Sequence, residues 1–185
     1  MKRELGFTLT EMLVVTAIVA ILLSIGVPSY RYVTNSYRLS SEVNGLLGDV
    51  QFTRSEALRE GQSVTICVSA DGATCSGTVN WQSGWLVFSN PANAPNPPAG
   101  SILRMQAPFI SVAGGTDTFV ANNGVTSLTY NREGFALGAA GTTVTLHDPS
   151  ANAQWTRCLL IAGPGLASTT THLTSVQTGV ANCGP

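Results

Sequence analysis

Few residues in this chain combine reactive chemistry with an unusual setting, and Glu11 is the first. It lies in "GFTLTEMLVVTAIVAILLSIGVPSY", residues 6–30, as the single charge in an apolar run from residue 7 to residue 27. A carboxylate deep in a membrane helix costs a few kcal/mol even on lenient scales, which makes it a functional candidate by default. The bland alternative is a carboxylate near the membrane surface that snorkels or stays protonated. Its position, four residues past Phe7, favours a specific use. Cutting the chain between Gly6 and Phe7 creates a new α-amino group on Phe7, and residues i and i+4 of a helix share a face. The ammonium of a neighbouring copy, set opposite Glu11, would neutralise it where both groups are desolvated. Gly6-Phe7 is thus a candidate processing site, and for Glu11 an assembly role and a surface carboxylate both stay open at this point.

The other reactive types offer less. Cys67, Cys75, Cys158 and Cys183 are the four cysteines, and none forms the close pair expected of a zinc site. In an exported domain an even number suggests two disulfides with three possible connectivities. The pairing that closes short loops, Cys67 with Cys75 and Cys158 with Cys183, is preferred, with buried free thiols as the alternative. His147 and His172 are the two histidines, and Asp148 adjoins the first. Neighbours in a strand point to opposite faces, so His147 and Asp148 are poorly placed to cooperate; a turn at "HDPS" explains Asp148 and Pro149 better. With no phosphate-binding glycine loop and no nucleophile elbow, neither an enzyme nor a cofactor is expected.

The elements that carry these residues divide the chain. Residues 1–6 read as a leader, 7–28 as a membrane or filament-core helix, 29–61 as an amphipathic helix half, and 62–185 as an exported head. The apolar run is long enough for a hydrocarbon core of roughly 30 Å. Lys2 and Arg3 before it keep the N-terminus cytoplasmic and place the head across the membrane. A cleavable secretory signal would have a shorter apolar core with its cutting site after it. Here the site precedes the run, so the hydrophobic helix stays with the processed protein. Loss of residues 1–6 would also move the net charge from −1 to near −2 and leave no lysine, so composition shows no basic groove for nucleic acid.

Beyond Pro28, which could bend or locally unwind the helix, Leu39, Val43, Leu46, Val50 and Ala57 recur at helical spacing. Arg38, Glu42, Asp49, Arg54, Glu56 and Arg59 are expected on a charged outer face, with Gly61 after the helix cap. A helix from Phe7 to Glu60 would extend about 80 Å. From Ser63 the chain reads as short strands: "SVTICVS", "NWQSGWLVFS", "SILRMQ", "DTFVA", "VTSLTYN", "TTVTLHD", "TRCLLIA" and "HLTSVQT". Trp81 and Trp85 are expected in or near the core, and "NPANAPNPPAG" is a loop. The fold class is α+β: a long N-terminal helix packed on an antiparallel β-sheet head.

The first thirty residues resemble the prepilin signature of type IV pilins and type II secretion pseudopilins. Gly6 matches the glycine before the processing site, Phe7 the N-methylated phenylalanine, Glu11 the glutamate at the fifth mature position, and Pro28 the proline ending the membrane half. "TLTEM" departs from the commoner "TLIEL" by a conservative change. The resemblance implies a prepilin peptidase, the bacterial inner membrane, and other pilin or pseudopilin subunits as partners, with the head periplasmic until assembly. Farther on, "LTYNREGFALGAAGTTVTLHD" followed by "TRCLLI" is similar to the C-terminal half of the GspH/FimT family, and "ANCGP" resembles FimU-type minor pilins. Some FimT-like members bind DNA through an arginine-bearing "GRxR" stretch. The matching place here is Gly165 to Ser168, with Leu166 and Ser168 where arginines would be, which argues against DNA uptake. Arg132 and Arg157 read as ordinary surface arginines. The resemblance implies a minor pilin of a type IV pilus, with a GspH-like pseudopilin of type II secretion as the first alternative and a DNA-binding minor pilin for DNA uptake as the second.

Overall fold

A computed structural model of the chain describes residues 7–111, 115–138, 141–172 and 183. The chain forms two compact units, Met1–Tyr37 and Arg38–Pro185. A helix, α1 (Leu9–Glu60), begins in the first and ends in the second.

In the first unit the helix keeps its large apolar side chains exposed, from Leu9 through Leu22 to Val27. The hydroxyls of this stretch turn back on the helix: Thr16 donates to the Met12 carbonyl at 3.0 Å and Ser24 to the Ile21 carbonyl at 2.7 Å. Their polar groups are thus satisfied without water, as a lipid environment requires. Helix continues through Gly26 and Pro28, so the chain is not unwound there. Pro28 has no N–H to donate, which leaves the carbonyl four residues earlier without its ladder partner.

In the second unit α1 becomes amphipathic. Leu39, Val43, Leu46, Val50, Thr53 and Ala57 are buried at alternating steps of four and three, one stripe of the helix. The helix stops at Gly61, whose positive φ of 67° lets its N–H return to the Ala57 carbonyl at 3.0 Å.

The buried stripe joins one core with two antiparallel sheets. Five strands form the first: β1 (Val64–Val68), β2 (Trp85–Ser89), β3 (Ile102–Gln106), β5 (Ser127–Tyr130) and β6 (Ala136–Leu137), in the order β3-β2-β1-β5-β6. The second contains β4 (Thr118–Ala121), β7 (Thr142–His147), β8 (Arg157–Ile161) and β9 (Ala167–Thr171), in the order β4-β7-β8-β9. Val64, Ile66, Trp85, Val87, Leu128 and Tyr130 from the first sheet meet Phe119, Val144, Leu146, Leu159 and Ile161 from the second in this core.

Several expectations change here. "NWQSGWLVFS" is not one strand: Trp81–Ser83 form a 3-10 turn, and Gly84, at φ 94°, swings the chain into β2. A Cβ at Gly84 would lie 2.5 Å from the Gln106 carbonyl, so only glycine fits that approach. The strand β9 lies in a polar "ASTTT" stretch outside the strand candidates, and β6 has only two residues. "HLTSVQT" lies, beyond His172, outside the described residues.

Candidate assembly site

Thr8 precedes the first helical residue, and Glu11 occupies the third helical position. The Glu11 backbone N–H donates to Thr8 Oγ1 at 3.3 Å, and the Met12 N–H donates to the Thr8 carbonyl at 3.2 Å. A threonine cap followed three residues later by glutamate is the spacing of a capping box. An acid in this first turn also meets the positive end of the helix dipole. Glu11 thus has a local role in starting the helix, a signal carried by "TLTE" and separate from its charge in an apolar run. Phe7 stands just outside the helix and is 72% exposed. Gly6 lies outside the described residues. Among the described residues no ion pair involves Glu11. The apolar stem and its one carboxylate therefore present chemistry that the described part of the chain leaves uncovered.

The four cysteines occupy the head. Cys67 is bonded to Cys75 and Cys158 to Cys183, across 8 and 25 positions. The first bridge ties a loop against the outer face of β1 and β2, where Cys67, Leu86 and Phe88 form a small separate cluster with Cys75. Asp71 organises that loop. Its carboxylate accepts the N–H groups of Ala73 at 2.9 Å and Thr74 at 2.8 Å, and these bonds hold it well below the usual carboxylate range. The second bridge fastens Cys183 to β8, and the Cys183 carbonyl lies 2.6 Å from His172 Nδ1.

His147 and Asp148 do not work together. His147 Nδ1 faces Thr156 Oγ1 at 3.1 Å, and burial pulls its pKa below the ordinary value. Asp148 instead accepts from the Asn152 N–H at 2.8 Å and from the Ser150 hydroxyl, the turn role expected of "HDPS". Of the two arginines expected to be ordinary, Arg132 is exposed beside Glu133, while Arg157 spends its guanidinium on the Gln154 and Thr156 carbonyls at 3.1 Å each. Gly165 packs against the Tyr130 ring, and Tyr130 donates to its carbonyl at 2.8 Å. Burial pushes the Tyr130 hydroxyl up to about 12.

The charged outer face expected of α1 is only partly a solvated face. Glu56 is 7% exposed, bonded to Arg59, which holds its carboxyl below the ordinary value. Asp49 accepts Trp85 Nε1 at 2.9 Å and Arg104 at 3.0 Å, with the Arg104 guanidinium 3.7 Å from the centre of the Phe52 ring. Arg38 forks onto Asp117 at 2.8 and 2.9 Å, and Asp117 is 2% exposed. Glu42, one turn beyond Arg38, is pushed up to about 8, first by burial and then by the Asp117 carboxyl. Helical spacing of Arg38 and Glu42 hints at a pair, but Asp117 is 79 positions from Arg38 and only folding reveals it.

Residues 42–165 match the family described as Type II transport protein GspH, and residues 1–27 match the prokaryotic N-terminal methylation motif. No curated protein sequence matches the chain. The fold is similar to crystal structures of the type IV minor pilin FimU of Pseudomonas aeruginosa. One crystal form gives a TM-score of 0.59 at 20% identity, covering 74% of this chain and 91% of that one. A second gives 0.55 at 19%, covering 72% and 94%. The minor pseudopilin EpsH from the type 2 secretion system of Vibrio cholerae gives 0.48 at 8%, covering 71% and 95%. At these identities the FimU likeness concerns the fold: a long helix and antiparallel sheets, as observed. The matched family region covers more than half of the 185 residues and is preceded by the methylation motif, so the chain belongs to the GspH family of type IV pilin-like proteins.

Proposed function

We propose that the chain is a minor pilin, cut between Gly6 and Phe7 by a prepilin peptidase, methylated on Phe7, and built into a type IV pilus or into the complex that starts one. The observation that carries this reading is an exposed apolar stem with a single carboxylate in its capped first turn. Before assembly the stem resides in the inner membrane with the head in the periplasm. Extraction into a filament buries the stem against other helices. Hydrophobic contact is non-directional and tolerates sliding between copies. The Glu11 carboxylate and the Phe7 ammonium of a neighbour supply register, because leaving either unpaired in a dry bundle is costly. On this reading the protein is structural rather than an enzyme, and it needs no cofactor or nucleic acid.

The test has two parts. Intact-mass measurement of the native protein should find a methylated N-terminus at Phe7; a terminus beyond Tyr30, or an untrimmed Met1 in active assemblies, refutes retention of the stem. Glu11→Gln should reduce the amount recovered in sheared filaments, and unchanged recovery refutes the register role. The family's description favours a second reading, a pseudopilin of type II secretion. Deletion separates the two: loss of piliation and twitching supports the pilus, loss of enzyme secretion the pseudopilus.

A further inference from the structure

The helix α1 changes character where its apolar run ends. Beyond Val27 it continues without a break through Tyr30, Arg31, Tyr32 and Val33, all of them exposed. Tyr30 is 73% exposed and Tyr32 49%. Consecutive helical residues stand about 100° apart, so these four point to every side of the helix. A single protein neighbour would call for a stripe at three- and four-residue spacing, whereas a ring suits a medium that surrounds the helix. The charge here is one-sided. No aspartate or glutamate occurs from residue 12 to residue 41, and the two cations in that stretch are Arg31 and Arg38. Arg38 is bonded to Asp117, while among the described residues no ion pair involves Arg31. Arg31 lies four residues past Val27, about 6 Å along the axis. A bilayer's headgroup layer is about 5–7 Å deep on each side of a hydrocarbon core of about 30 Å. Tyr30 and Tyr32 fall in the same layer, where the apolar ring and the polar tip of tyrosine both find partners.

We propose that Tyr30, Arg31 and Tyr32 form a collar that binds an anionic phospholipid, with the Arg31 guanidinium on the headgroup phosphate, and so sets the depth of the stem in the bilayer. The proposal rests on the reading of the stem as a membrane span. A guanidinium presents a fork of donors that matches phosphate oxygens, and a lipid of net negative charge attracts it more than a zwitterionic one. Cleavage before Phe7 would remove Lys2 and Arg3, leaving Arg31 as the first cationic side chain of the chain. Its seat then fixes Glu11, twenty residues earlier and about 30 Å away along a helix standing on the bilayer normal. Glu11 comes to rest about 6 Å short of the far edge of the hydrocarbon core, away from the bilayer centre where a carboxylate costs most.

The chain as it exists in membranes would be purified in a non-ionic detergent and titrated with phosphatidylglycerol, phosphatidylcholine or inorganic phosphate, with bound lipid counted by native mass spectrometry. Phosphatidylglycerol should bind about fivefold more tightly than phosphatidylcholine, the gain from one arginine at an anionic surface. Arg31→Gln should remove that preference and Arg31→Lys keep most of it, while Arg132→Gln, at an exposed site in the head, leaves it unchanged. Tyr30→Ser should weaken both lipids alike. Equal binding of the two lipids, or a preference that survives Arg31→Gln, overturns the proposal. Displacement of the lipid by millimolar inorganic phosphate overturns the lipid as the source of the phosphate. In vesicles of phosphatidylcholine and phosphatidylglycerol, a nitroxide on Ala17→Cys reports depth through its collisions with oxygen, the native cysteines being bridged. Arg31→Gln should shift that depth, and an unchanged depth refutes the anchoring role. Flotation with the same vesicles separates the failures. A chain that floats without an Arg31-dependent preference refutes the collar alone; a chain that does not float refutes the membrane span as well.

Discussion

Replacing Glu42 by Gln should flatten the pH dependence of the head's stability. The carboxyl is raised from 4.5 to about 8 in the folded protein by burial and the Asp117 carboxyl. Between those values the folded state holds a proton that the unfolded chain has lost. The group's contribution is therefore fully present below about pH 4.5 and is lost as pH rises through about 8. At about 1.4 kcal/mol for each tenfold change in proton affinity, the full span corresponds to about 5 kcal/mol. Glu42 is only partly buried, so solvent screening reduces this to about 2 kcal/mol. For a domain of this size that is roughly 4–8 °C in Tm. The assay is thermal unfolding of the full chain in detergent, wild type and Glu42→Gln, at half-unit steps from pH 4.5 to 9. Glutamine keeps the shape and cannot ionise, so the pH dependence of every other group is common to both proteins. The difference in Tm should move steadily in favour of the variant as pH rises, and level off above about pH 8. A difference constant across the range would refute the burial of a protonated Glu42 beside Asp117.

Two further outcomes follow from the head. Removing the Cys158–Cys183 bridge by serine substitution should cost more than removing Cys67–Cys75. Their separations of 25 and 8 positions give about 3.5 and about 2.5 kcal/mol of lost loop-closure constraint. Urea unfolding of the two double-serine variants checks the order. Gly165→Ala should destabilise the head by about 1–3 kcal/mol, because its φ is 82° and the added Cβ would lie 2.6 Å from the Tyr130 ring and 2.9 Å from the Ala136 nitrogen. Thermal unfolding would show it, and an unchanged Tm would refute the close packing at that turn.

The buried stripe of α1 is legible in the sequence because helical burial repeats with the local geometry of the chain, and Gly61 announces its end. Strands such as "TTVTLHD" and "TRCLLIA" are legible from apolar content, whereas β9 is not, since an edge strand of threonines buries little. Trp81 and Trp85 both reach the core as expected, yet not in one strand; the close approach of Gln106 to Gly84 breaks the run into a turn and a strand. Glu42, Asp49 and Glu56 look like a solvated face in the sequence, where nothing local marks their burial or the contacts that Glu42 and Asp49 make across the head. Asp49 illustrates this: Trp85 and Arg104 reach it from β2 and β3.

By itself the amino-acid sequence determined what depends on neighbours along the chain. These are the apolar stem with its single acid, the methylation motif over residues 1–27, the helical stripe, and most of the strand segments. Tertiary structure decided the division into two sheets, the order of their strands, and the partners that Asp49 and Glu42 find on other elements. It brought Asp117 to Arg38 and Glu42 across 79 positions between the arginine and the aspartate. Pairing and burial of that kind depend on which elements pack together, a property of the whole head that no local periodicity encodes.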